Sequence, residues 1–341
     1  MTLKSVAMKT GLATIALTAM GLVAAAPASA HTNNMYTYVD YNSMSQQAGF
    51  ATYGKSDAVV TPLPTTFVSD PDEVHGIEVA NEQGTAILEA NDGDDYVLTW
   101  NHTTGERGLP ISVYLPDEPF LSFTGLDTLN NGTTITIVEY EDQVGVVWAI
   151  GSVNSGTGEI LPLVDISEVV FVESEAFYTP SSLATDPVTG LTYVFLTDPA
   201  GDPHFLEVNV AAGTVGEPTS FDGAYFVQGV ILGADFDGGN GSLYFNYQNS
   251  NHQQYELTAI GAPSTWPTAD PTYISSAPSP DQYGDVTLDL LALTIEHTAP
   301  ALAATGSELP IFAIVLVGTV AVVAGGVTMM VARRRSEAGT V

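Results

Sequence analysis

The chain has 341 residues, no cysteine and a formal charge of −32. Without cysteine, disulfides, thiol catalysis and thiolate metal sites are excluded. Between His31 and Pro300 only Lys55 and Arg107 are basic, against 37 aspartates and glutamates, so nucleic acid is excluded as a partner for want of a basic surface and anionic lipid headgroups are disfavoured.

At the N-terminus, Lys4 and Lys9 precede an apolar stretch from Gly11 to Ala26, and Ala28-Ser29-Ala30 follows it. A basic region, a short apolar region and small residues at a cut site make a secretory signal peptide. This predicts a signal peptide over 1–30, with Ala28, Ala30 and His31 framing the cut and His31 opening the mature chain. A retained helix is disfavoured because the stretch is short and rich in Ala and Thr.

The region 31–299 carries strand signals throughout. Met35 to Tyr53 holds two candidates, MYTYVDY and GFATYG. A unit of about fifty residues then repeats four times between Val74 and Tyr273. Each unit has a segment closing on a turn glycine, at Gly84, Gly132, Gly190 and Gly241, spaced 48, 58 and 51 residues apart. A β-branched and aromatic run leaves each glycine: TAILEA, TTITIVEY, LTYVFLT and SLYFNY. Three units end a later strand in an Asn-x-x-x-Gly turn, at Asn101–Gly105, Asn154–Gly158 and Asn209–Gly213. Asn and Gly tolerate the positive φ of tight hairpins. Each unit therefore reads as a four-stranded antiparallel meander, and the set resembles the degenerate blades of extracellular bacterial β-propellers. Asp285 to Glu296 offers one or two more strands, and pairing them with the N-terminal pair closes a further blade. The expected fold is all-β, a propeller of about five four-stranded blades, with six as the alternative. Two β-sandwiches would instead repeat every 90–100 residues or so.

Candidate chemistry within the blades is sparse. The turn Asp235-Phe236-Asp237-Gly238-Gly239-Asn240-Gly241 offers Asp235, Asp237 and Asn240 as oxygen ligands for Ca²⁺, but it lacks the distal Glu of a calcium loop and aligns with ordinary blade turns. Asn91-Asp92-Gly93-Asp94-Asp95 is a second acidic turn. The histidines are isolated in sequence, and no HExxH, GxSxG or Walker sequence occurs. His75-Gly76 opens an inner-strand segment that would face a central funnel, where some lactone-hydrolysing propellers hold Ca²⁺. Trp100 and Trp148 occupy corresponding places in two units, which argues for packing over ligand stacking.

After the blades, 300–308 is a linker containing Leu302-Ala303-Ala304-Thr305-Gly306. An uncharged apolar run of 24 residues covers 309–332. A helix of that length reaches about 36 Å, enough to span a bilayer. Arg333, Arg334 and Arg335 open a basic tail over 333–341 that would stay in the cytoplasm. Motif, span and tail in this order resemble the cell-wall sorting signal of Gram-positive surface proteins, in the LAxTG variant of actinobacteria. The resemblance implies that a sortase cuts between Thr305 and Gly306 and joins Thr305 to peptidoglycan, after the membrane span has held the chain in place. The expected function is display: an exported, wall-anchored propeller that binds an unidentified surface ligand or is structural, with no catalytic residue and no cofactor beyond a possible Ca²⁺. The alternative is a surface hydrolase resembling lactonase propellers with a funnel metal.

Overall fold

Each repeated unit folds as an antiparallel meander, innermost strand first. The computed structural model describes residues 30–42, 47–56, 60–64, 73–80, 83–89, 94–116, 119–143, 145–172, 175–176, 178–221, 229–249, 254–266, 271–276 and 287–298. Blade 1 comprises Glu73–Ala80, Gln83–Glu89, Asp95–Asn101 and Ile111–Ser112. Blade 2 comprises Phe120–Thr128, Thr134–Glu141, Val146–Val153 and Ile160–Asp165. Blade 3 has Thr179–Thr185, Thr192–Thr197, Pro203–Asn209 and Thr214–Val215, with Thr219–Ser220 also pairing its third strand. Blade 4 comprises Gly229–Asp237, Ser242–Asn249, Gln254–Ile260 and Thr272–Ser276.

The fifth blade is made from both ends of the region. Thr287–Thr298 is its inner strand and pairs antiparallel with Ala30–Asn42, which leads to Gln47–Tyr53 and Val60–Pro62. One long C-terminal strand and three N-terminal strands therefore close the ring, and Val60–Pro62 is a strand the sequence pattern did not announce. The inner strands are neighbours around a closed circuit, blades 1, 2, 3 and 4 and then the closure blade. The fold is a five-bladed β-propeller.

Blade packing explains why the second strands read as near-continuous apolar runs. Each blade is covered on both faces by its neighbours, so alternation is lost. Thr192–Thr197 is buried at five of its six positions, while the outer strand Ile160–Asp165 is exposed at four of six. The apolar core divides into five clusters, one between each pair of adjacent blades. The tryptophans belong to these layers. Trp100 stacks on Phe50 with centroids 4.1 Å apart, joining blade 1 to the closure blade. Trp266 is fully buried between blades 3 and 4, and its Nε1 donates to Gly261 O at 2.6 Å. Trp148 packs, partly buried, between blades 2 and 3.

The Asn turns form as the pattern requires. Gly105, Gly158 and Gly213 have φ of 73°, 77° and 65°. Asn101, Asn154 and Asn209 cap these turns by accepting backbone N–H groups through Oδ1. Gly132, Gly190 and Gly241 also adopt positive φ. Gly84 differs: it lies inside its strand, opposite Val79, and a Cβ there would collide with the Trp100 indole. It is glycine to admit the tryptophan, not to make a turn.

Contacts divide the chain into two units at Pro300 and Ala301. The signal segment up to Ser29, the LAATG motif, the apolar span and the arginines lie outside the described residues. Among the described residues no helix is long and apolar enough to cross a membrane.

Candidate functional site

The inner strands carry a repeated Gly-x-acid pattern: Gly76-Ile77-Glu78, Gly125-Leu126-Asp127 and Gly233-Ala234-Asp235. The glycine permits close approach at the axis. A Cβ on Gly76 would stand 2.7 Å from backbone atoms of Gly125 and Leu126. The acid then points inward. Glu78, Asp127 and Asp235, from blades 1, 2 and 4, each place a carboxylate oxygen within 4.8 Å of the others. All three residues are at most 2% exposed.

Hydrogen bonds show what these carboxylates do. Asp127 Oδ2 accepts the Thr185 N–H of blade 3 at 2.5 Å. Asp235 Oδ2 accepts the Ile295 N–H of the closure blade at 2.6 Å. Thr294 Oγ1 accepts the Val79 N–H of blade 1 at 3.3 Å. In every case the acceptor reaches one residue past the equivalent position on the next inner strand, so Glu78, Asp127, Ala184, Asp235 and Thr294 are equivalents. Ala184 has no acceptor to offer. The Phe236 N–H that it would have served is taken by Asp235 Oδ1 at 2.6 Å. Asp127, Asp235 and Thr294 are therefore staples between inner strands, each meeting a backbone donor that burial has removed from water.

The ring also concentrates charge. Thr294 Oγ1 lies 3.0 Å from Glu78 Oε2 and 3.2 Å from Asp235 Oδ2, and its single proton serves one carboxylate at a time. Like charges at this range disfavour full ionisation of the set. The two basic residues of the region are engaged elsewhere. Lys55 Nζ pairs with Asp237 Oδ2 at 3.0 Å, joining the closure blade to blade 4. Arg107 Nη2 donates to Tyr38 Oη at 2.7 Å and lies over the Tyr38 and Phe50 rings. Oxygen donors of this kind suit a hard cation such as Ca²⁺. Glu78, Asp127 and Asp235 are the residues that could hold one, with the Thr294 hydroxyl beside them.

The candidates of the Asp235–Gly241 turn are parted. Asp235 joins the axial ring. Asp237 Oδ1 accepts the Gly239 N–H at 2.9 Å while its other oxygen meets Lys55. Asn240 Oδ1 accepts the Ser242 N–H at 2.8 Å, which is ordinary turn capping. His75 is not at the axis but beside Glu89 and Asp95 at one end of blade 1. Asn91, Asp92 and Gly93 lie outside the described residues. Glu78 and Asp127 were not singled out from the sequence, and the thrice-repeated Gly-x-acid was the signal for them.

No known protein family and no curated protein matches this sequence. Among solved structures, a protein of unknown function from Dyadobacter fermentans is similar at 10% identity and TM-score 0.48, over 74% of this chain and 87% of that one. A periplasmic gluconolactonase from Pseudomonas aeruginosa is similar at 12% identity and TM-score 0.39, over 71% of this chain and 82% of that one. TolB from Acinetobacter baumannii is similar at 10% identity and TM-score 0.41, over 71% of this chain and 53% of that one. The chain spans 27% of the extracellular domain of a proposed one-component system from B. thetaiotaomicron, at 13% identity, TM-score 0.34 and 68% coverage of this chain. These likenesses carry no functional assignment, and the fold is assigned from the strand pairing above.

Proposed function

We propose that the chain is an exported display protein: a non-enzymatic propeller that a sortase joins to peptidoglycan through Thr305. One observation supports this most, the register of the closure blade. Ala30 pairs with Thr298 and His31 with His297. The residues flanking the expected signal cut are thus the strand partners of two residues that lie shortly before the sorting motif. The segment between the two processing points is then one closed ring, with both ends leaving from the same place. Six residues separate Thr298 from Thr305, a reach of about 20 Å when extended, so the propeller is tethered close to its attachment point. Wall polymers and neighbouring surface proteins are the ligands within that reach.

The competing reading, a hydrolase with a funnel metal, is less well supported. The axial carboxylates converge as such a site requires, but all three are buried, Asp127 and Asp235 are bound to strand N–H groups, and Glu78 meets the Thr294 hydroxyl. Small-molecule sites are clefts that admit a ligand. A cation at this depth holds strands together and meets no substrate.

Fractionation of producing cells tests the proposal. Wild-type protein should stay with the wall after detergent extraction and be released by wall-digesting enzymes. The Thr305→Ala, Gly306→Ala double variant should extract with detergent. Complete extraction of the wild type would overturn the assignment.

A further inference from the structure

The repeated blades act as controls for one another. Where the second and third strands of a blade meet, the opposed residues are Glu141 and Val146 in blade 2, Thr197 and Pro203 in blade 3, and Asn249 and Gln254 in blade 4. In blade 1 they are Glu89 and Asp95. Like charges directly opposed destabilise a sheet. The inner strands also share a bulge, which skips His75 in blade 1, Ser181 in blade 3 and Leu232 in blade 4. A bulge turns a side chain out of the alternation. The bulge belongs to the fold, whereas the imidazole belongs to blade 1 alone among these three. One blade therefore carries a histidine and two carboxylates where its siblings carry no such set.

We propose that His75, Glu89 and Asp95 bind a first-row divalent cation such as Zn²⁺. One ligand atom of each lies within 4.8 Å of the other two. Tetrahedral zinc bonds of about 2.0–2.1 Å separate neighbouring ligand atoms by about 3.4 Å. His75 Nε2 and Glu89 Oε2 stand 3.8 Å apart, so a small side-chain adjustment completes the geometry. The imidazole is steadied by Phe123 of blade 2, edge-on with ring centroids 5.1 Å apart. The His75 and Glu89 side chains are 23% and 44% exposed, which leaves outer coordination positions to water or to a donor from a partner. Asp95 is pushed up to about 6, by burial first and then by Glu89 and Asp94. A bound cation removes that repulsion. Imidazole with carboxylates favours zinc and its first-row neighbours over calcium, which takes oxygen ligands. The site is separate from the axis, since His75 precedes Glu78 by three residues, about 10 Å along the strand.

The test uses the full chain in detergent, stripped with a chelator, with Zn²⁺ and then Co²⁺ as probes. Wild-type protein should bind one Zn²⁺ above the diffuse background of its acidic surface. Co²⁺ should give the visible absorption of a tetrahedral site with a nitrogen ligand. His75→Ala should weaken Zn²⁺ binding at least about tenfold and abolish that absorption, and Glu89→Gln should weaken binding similarly. Glu168→Gln, an exposed acid outside both clusters, should leave both readouts unchanged. Near-UV circular dichroism checks that each variant keeps its fold, and the shape-conserving Glu89→Gln decides the matter if His75→Ala does not. Absence of a discrete Zn²⁺ site in the wild type, or equal binding by wild type and Glu89→Gln, would overturn the proposal.

Discussion

Two clusters rich in acidic side chains each draw one residue from the inner strand of blade 1, and they do different work. Glu78 belongs to the axial ring, buried with Asp127 and Asp235, which accept backbone N–H groups, and beside the Thr294 hydroxyl. His75, three residues earlier, belongs to a half-exposed cluster at the blade's end. Composition is nearly the same in the two groups, and burial separates them. At the axis a carboxylate replaces the water that an inner-strand N–H has lost, so its removal is paid in stability. At the blade end solvent supplies that service, and the side chains are left for ligands.

The largest effect should come from breaking the ring that creates the axis. Deleting 287–298 removes the inner strand of the closure blade together with Thr294 and the partner of Ala30–Asn42. The whole propeller should lose its cooperative thermal transition, because all five interfaces depend on closure. An unchanged melt of the truncated chain would show that the blades are stable without it.

A smaller, sharper test separates acceptor from charge at the axis. Asp235→Ala leaves the buried Ile295 and Phe236 N–H groups without their acceptor. The expected loss is about 2–6 kcal/mol in a denaturant melt, at about 1–3 kcal/mol for each of the two buried groups left unmet. Asp235→Asn keeps one acceptor oxygen and removes a charge from a crowded set, so it should cost less than half as much. Equal losses would mean that the charge, held by a cation, is the essential feature.

The smallest effect should be at the blade end. In chelator-treated protein Asp95→Asn removes one of two opposed carboxylates. Stability should stay level or rise by under about 1 kcal/mol, since exposed charge pairs are screened. A loss of more than about 1 kcal/mol would place this cluster with the axial ring as structural.

The sequence by itself determined the blades and their closure. The fifty-residue period, the strand runs and the Asn-Gly turns are local properties of the chain, and turn φ and strand propensity act within a few residues. Leftover strand material at both ends called for a shared blade, because an unpaired edge is a liability. Gly84 was misread for a reason that no local pattern contains: the Trp100 side chain from the neighbouring strand occupies the space a Cβ would need. Only the tertiary structure decided the two sites. Glu78, Asp127 and Asp235 are spread over more than 150 residues and converge because inner strands from different blades meet at one axis. In the sequence His75 read as a funnel-facing candidate, Asp95 as the end of an acidic turn, and Glu89 was not singled out. Strand pairing and a one-residue bulge brought them together, and those depend on register, which is set by packing between blades and not by the residues themselves.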